Sequence, residues 1–130
     1  MSASFKVSTL LPASPERIYK AWLDSSEHGL FSGGTAEIDP VIGGAFTAWD
    51  GYIKGTTLAL TPYTRILQSW RAEDFPEEAV DSQLEVLLEA ATGGTRLTLV
   101  HSNLPDEQAE EFKQGWVDYY FTPMNAYFSG

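Results

Sequence analysis

Residues 115–128 read GWVDYYFTPMNAYF, and six of these fourteen side chains are aromatic. At 100° per residue, Ala109, Phe112, Trp116, Tyr119, Tyr120, Pro123 and Tyr127 fall on one helical face. Val117, Phe121, Met124 and Phe128 fall beside it, while Gln114, Asp118 and Asn125 keep the opposite side polar. A surface helix needs only a modest apolar stripe, and a membrane span takes about 20 apolar residues. The stretch fits neither. It is expected to be a helix buried on one face in its first half and on two faces in its second. Pro123 has no N–H and its ring meets the carbonyl of Tyr119, so a bend is expected there.

The preceding residues supply what buries this helix. Residues 4–11, SFKVSTLL, alternate as a first strand. In ASPERIYKAWLD, Ser14 is an N-cap, Pro15 suits the first helical position, and Ile18, Tyr19, Trp22 and Leu23 share a face. Residues 24–31 predict a second short helix, with Asp24 as cap and Glu27 answering it in a capping box. Six strands follow, over residues 35–39, 45–50, 52–62, 64–70, 79–91 and 96–102. In the fifth of these, Val80, Leu84, Val86, Leu88 and Ala90 share one face, and Asp81, Gln83, Glu85 and Glu89 share the other. The glycine pair at 93–94 reads as a hairpin turn. Pro105 opens the last helix, with Asp106 and Glu107 in its acidic first turn.

Strands joined by short turns pair antiparallel, which predicts an α+β fold in one domain spanning residues 1–130. A sheet with long strands twists and curls. The last helix, about 23 residues and roughly 35 Å long, would lie in that curl. The gap between them is expected to be an apolar cavity, for which small-ligand pockets of about 300–1,000 Å³ set the scale.

The charge of −10 and the scatter of only eight Lys and Arg argue against nucleic acid and anionic membranes as partners. A basic protein surface is compatible with it. The absence of cysteine excludes disulfides and thiolate chemistry and fits a reducing cytoplasm. The N-terminal residues lack the pattern of a signal peptide. No metal-ligand spacing and no catalytic constellation can be read, and no cofactor is expected. His101 is in phase with Leu97 and Leu99 and should face inward, where a core role outweighs an acid–base one. His28 reads as a surface residue. Trp49 and Trp70 read as strand aromatics, and Ile66, Gln68 and Trp70 share a strand face.

Three blocks, DGYIKGTTLALTPYTRILQSWR (50–71), GGTRLTLVHSNLP (93–105) and QGWVDYYFTPMNAYF (114–128), resemble the family of activators of the Hsp90 ATPase. ASPERIYKAWLDSSEH (13–28) is similar to that family's opening helix, so the likeness covers about residues 5–128. The resemblance is to the C-terminal domain of the activator and to its single-domain relatives. It implies the helix-grip fold of START lipid-transfer domains and the birch-pollen allergen. There, a curved antiparallel sheet grips a long C-terminal helix, with two short helices after the first strand. It further implies a small hydrophobic ligand between sheet and helix. The candidate lining residues are Trp49, Trp70, Leu84, Val86, Leu97, Leu99, His101, Phe112, Trp116, Tyr119, Tyr120, Pro123 and Tyr127. A co-chaperone role on an Hsp90-type partner is the alternative, and it would rest on the C-terminal-type domain. An enzyme is a third reading, since some helix-grip relatives are cyclases or hydrolases.

Overall fold

The computed structural model describes residues 2–129. The chain runs β1 (Ser2–Leu11), α1 (Pro15–Trp22), α2 (Ser25–Ser32), β2 (Glu37–Ile38), β3 (Ala45–Ala48), β4 (Ile53–Thr61), β5 (Arg65–Ala72), β6 (Ser82–Ala91) and β7 (Gly94–Pro105). It ends in α3 (Ala109–Trp116), a π turn (Val117–Phe121) and α4 (Thr122–Ser129). The seven strands make one sheet in the order β1-β7-β6-β5-β4-β3-β2, with every neighbour antiparallel. From β2 to β7 each strand pairs with the next. The two helices after β1 carry the chain away from it, so β1 finds its partner in β7 instead. The curved sheet wraps the C-terminal helix, and the fold is the α+β helix grip. Among the described residues no helix is long and apolar enough to cross a membrane.

Period-two alternation sets the inner face. Ile66, Gln68, Trp70 and Ala72 of β5 are buried, as are Ser82, Leu84, Val86 and Leu88 of β6 and Thr95, Leu97, Leu99 and His101 of β7. Burying one such Leu or Val contributes about 1.5–3 kcal/mol. The core therefore sits between these three central strands, α1, α2 and the C-terminal helix.

Local signals place the helices. The Ser14 hydroxyl accepts the Arg17 N–H at 3.2 Å, and Asp24 accepts the Glu27 N–H at 2.9 Å. The capping box is only half made. The Glu27 carboxylate turns instead to Arg17 at 2.6 Å and to the Tyr127 hydroxyl at 2.7 Å.

Several boundaries differ from the sequence reading. β6 begins at Ser82 rather than at residue 79, and Val80 is exposed. The preceding loop is tied to Arg71 of β5, whose guanidinium donates to the Ala79 and Pro76 carbonyls at 2.7 and 3.1 Å. Pro105 ends β7, and the helical path starts at Asp106 with a 3-10 turn. Trp49 lies beyond β3, in a 3-10 turn of its own.

The β6–β7 hairpin tests how local and tertiary demands combine. Gly93 has φ +87° with open space where a Cβ would stand. Gly94 has φ +151°, and a Cβ there would lie 1.9 Å from the Leu11 carbonyl oxygen. Gly93→Ala is expected to cost about 1 kcal/mol, for backbone conformation alone. Gly94→Ala adds an overpacking penalty of about 1–3 kcal/mol. Urea unfolding of the two variants measures the difference, and equal costs would show that β1 does not press on this hairpin.

Candidate functional site: an aromatic cavity

The C-terminal helix is not one α-helix. The Thr122 N–H bonds the Val117 carbonyl, five residues back, so the turn is widened. A π turn frees the Tyr119 carbonyl from the missing Pro123 N–H and lets the proline start a fresh α-helical turn. It also changes the phase of everything near it. Tyr119, expected on the buried face, is 59% exposed, while Phe121 and Met124 turn inward to 7% and 0%.

Between this helix and the β3–β5 side of the sheet lies a cavity of about 370 Å³. Trp49, Tyr52, Ile53, Trp70, Glu111, Phe112, Gly115, Trp116, Tyr119 and Tyr120 line it, so seven of its ten walls are aromatic. Exposed Glu111 and Tyr119 stand at its rim. Gly115 leaves space in the wall, since a Cβ there would meet nothing nearer than Tyr119 Cδ2 at 3.8 Å.

Trp49 is set by a turn in which Trp49 and Asp50 both have left-handed backbone, φ +53° and +58°. Two such residues cost roughly 1–3 kcal/mol each. The Asp50 carboxylate holds the turn by accepting the Thr35 N–H at 2.9 Å and the Thr35 hydroxyl at 2.7 Å. These two bonds also keep the carboxyl below its usual range. Trp49 then meets Tyr119 edge to face at 5.7 Å. Trp70 packs edge to face on Phe112 at 5.3 Å and lies 5.8 Å from Trp116. Trp116 and Tyr120, one helical turn apart, are 4.6 Å from each other.

Behind the walls lie two buried histidines. The Trp116 indole N–H donates to His101 Nδ1 at 3.0 Å, so the neutral ring carries its proton on Nε2. That N–H donates to Ser82 Oγ at 2.9 Å, and the Ser82 hydroxyl donates to the Trp70 carbonyl at 2.6 Å. His28 has the opposite tautomer. Its Nδ1–H donates to the Trp22 carbonyl at 2.8 Å, and its Nε2 accepts the Tyr120 hydroxyl at 2.9 Å. Burial pushes His101 down to about 3 and His28 down to about 4. Burial also raises the Tyr120 phenol. All three groups stay neutral and hold three cavity walls, Trp116, Trp70 and Tyr120, in place. His28, read as a surface residue, is 3% exposed. Its burial follows from the i, i+3 pair it forms with Phe31, a face hidden when histidine is counted as polar.

The candidate residues separate by depth. Trp49, Trp70, Phe112, Trp116, Tyr119 and Tyr120 line the cavity. Leu84, Val86, Leu97, Leu99 and His101 lie in the packed layer of the sheet, at most 1% exposed. Pro123 and Tyr127 lie past the π turn, outside the cavity lining, and Tyr127 bonds Glu27 of α2. Tyr52, Ile53, Glu111 and Gly115 line the cavity although the sequence reading did not single them out. Gly115 carried a signal, since glycine inside a helix costs about 1 kcal/mol against alanine. Among the described residues no group of three or more His, Asp or Glu gathers as a metal site.

Comparison with known proteins agrees with this architecture. Residues 12–129 match the family described as activator of Hsp90 ATPase homolog 1-like protein. The human activator of 90 kDa heat shock protein ATPase homolog 1 is 28% identical over 108 residues, covering 83% of this chain and 32% of that protein. A Dictyostelium discoideum homologue is 24% identical over 116 residues, covering 87% of this chain and 30% of that protein. The chain thus spans about a third of the length of these relatives. Among solved structures, a Plasmodium falciparum protein described as an HSP90 activator superposes with a TM-score of 0.86 at 25% identity, covering 97% of this chain and 96% of that one. A Chromobacterium violaceum protein superposes at 0.79 with 25% identity, covering 98% and 97%. With the match running over nearly its whole length, the chain belongs to the activator of Hsp90 ATPase homolog 1-like family.

Proposed function

We propose that this protein binds a small hydrophobic molecule in the cavity between the sheet and the C-terminal helix, acting as one helix-grip unit in the cytoplasm. The observation that carries this reading is the cavity of about 370 Å³ with seven aromatic walls. Rings that face a hollow forgo the dispersion contacts that a neighbour would supply. Large aromatic side chains are also the strongest contributors to binding energy in desolvated pockets. Three of the walls are held from behind by complete hydrogen-bond chains. Such a preformed wall loses little freedom when a ligand arrives.

Quenching of tryptophan fluorescence by a graded series of aromatic and aliphatic compounds tests the proposal, because Trp49, Trp70 and Trp116 all line the cavity. Gly115→Leu is the informative variant. Its side chain points into the open space, so binding is expected to weaken at least about tenfold. Replacing the helical glycine should at the same time stabilise the fold by up to about 1 kcal/mol. Binding that survives Gly115→Leu would place the ligand elsewhere.

A second reading has support from the relatives, several of which are described as activators of the heat shock protein ATPase. In it, this domain contacts an Hsp90-type chaperone, with the charge of −10 favouring a basic surface. The ATPase rate of the host chaperone with and without this protein decides it. An unchanged rate together with no co-elution at low salt would count against it.

A further inference from the structure

We infer that the occupant of the aromatic cavity is an organic cation, an alkyl- or arylammonium whose apolar body lies against the rings and whose charge sits at the Glu111 rim. This inference rests on the reading that the cavity takes a small ligand, and it adds the ligand's charge. Three observations carry it.

The first is the wall itself. The faces of Trp, Tyr and Phe rings carry negative quadrupole density, and a desolvated cation over them is attracted. Aliphatic walls would serve a neutral hydrocarbon equally well, yet Ile53 is the one aliphatic side chain in the lining.

The second is the sign of the charge around it. Among the described residues Glu111 is the one acidic side chain that lines the cavity. Next to it, the Tyr52 hydroxyl donates to Asp74 Oδ2 at 2.7 Å. The Tyr52 phenol is pushed well above its ordinary range by burial first and by Asp74 next, with Glu111 and Glu73 adding to it. The carboxylate field therefore reaches into the wall.

The third is the placement of the positive groups. Among the described residues no Lys, Arg or His lines the cavity. Arg71, next to Trp70 on β5, is turned to the Pro76 and Ala79 carbonyls and to Asp81. His101 lies behind Trp116 and Trp70 with both ring nitrogens bonded, so it is neutral and offers an anion nothing. A carboxylate ligand such as a fatty acid would meet a wall of the same sign on a chain of net charge −10.

Three probes of matched shape test the charge. They are (3-phenylpropyl)trimethylammonium, its neutral carbon isostere (4,4-dimethylpentyl)benzene, and 4-phenylbutanoate, titrated against tryptophan fluorescence and by calorimetry. The ammonium is expected to bind at least about tenfold more tightly than the neutral isostere, with the carboxylate weakest. Glu111→Gln is expected to reduce the ammonium-to-neutral ratio about threefold or more, and 0.5 M salt should reduce it in the same direction. Glu111 is exposed and holds no buried partner, so the variant should fold. A neutral isostere that binds as tightly as the ammonium overturns the charge inference and leaves the ligand reading standing. If none of the three binds, both fall.

Discussion

Acidification from pH 6.5 to pH 4.5 is expected to remove about 4 kcal/mol of stability through two residues alone, His28 and His101. Both are buried, and neither touches a charged group. The rings around His28 belong to Trp22, Phe31 and Tyr120, and those around His101 to Phe5, Trp70 and Trp116. In the folded chain they resist protonation down to about 4 and about 3, against an ordinary value of 6.5. Below pH 6.5 the unfolded chain therefore binds protons that the folded chain does not. The stability they contribute is complete above that pH and is lost as the pH falls. Each histidine contributes a slope of about 1.4 kcal/mol per pH unit once the unfolded chain is mostly protonated. Between pH 6 and pH 4 the two slopes add. The Glu27 carboxyl, held low first by Arg17, adds its own loss at the acid end, in the same direction.

The urea midpoint measured across this range checks the expectation. A His28→Gln, His101→Gln double variant sharpens it. Glutamine can donate at one atom and accept at another, as each neutral imidazole does, but it does not titrate. The double variant should be less stable at pH 7 and nearly flat from pH 6.5 to 4.5. A native protein whose midpoint is equally flat would mean that the histidines are not held neutral inside. Because these rings hold Trp116 and Tyr120, ligand affinity is expected to fall along with stability in acid.

Trp22→Ala is expected to destabilise the protein by about 3–5 kcal/mol. Native domains have roughly 5–15 kcal/mol in total, so this variant approaches unfolding by itself. Trp22 is 2% exposed and touches α2, the C-terminal helix and β5 at once. Its ring lies 5.0 Å from His28, 5.5 Å from Tyr120 and 6.3 Å from Trp116. Its indole N–H donates to Gln68 Oε1 at 3.4 Å, and the Gln68 amide donates to Thr57 Oγ1 at 3.2 Å. Truncation opens a large cavity and leaves the buried Gln68 oxygen without a donor, and the second effect alone costs about 1–3 kcal/mol. Trp22→Phe keeps much of the volume and should cost clearly less. Guanidinium unfolding of the pair measures both. A cost below about 1 kcal/mol for the alanine variant would show that α1 does not hold the cavity walls from behind.

Signals that act within a few residues are legible in the sequence, and those set by distant partners are not. The alternation in β5, β6 and β7 placed Trp70, Leu84, Leu97 and His101 on a shared face, because a strand has period two and an error of one residue would expose them all. Ser14, Pro15 and Asp24 marked helix starts because caps act within one turn. The order of elements, with the greasy helix last, led to the helix grip. Three features escaped. A wheel of constant pitch puts Tyr119 inward, and the π turn breaks that pitch. Alternation makes Trp49 a strand residue, whereas a left-handed turn tied to Thr35, fourteen positions before it, sets it in the wall. Polarity alone makes His28 a surface residue, whereas its second nitrogen is satisfied by Tyr120, 92 residues away.

So GWVDYYFTPMNAYF by itself determined that the last helix is buried and that Pro123 must disturb it, because hydrophobicity and a missing N–H are properties of the residues. How the disturbance is absorbed was decided only in three dimensions. Sheet, α2 and helix must all be satisfied together, and a π turn is the adjustment that turns Phe121 and Met124 inward while leaving Tyr119 at the rim. The cavity has the same origin. It is the space left where a curved sheet and a bent helix do not close on each other, and no single stretch of sequence encodes a space bounded by residues from 49 to 120.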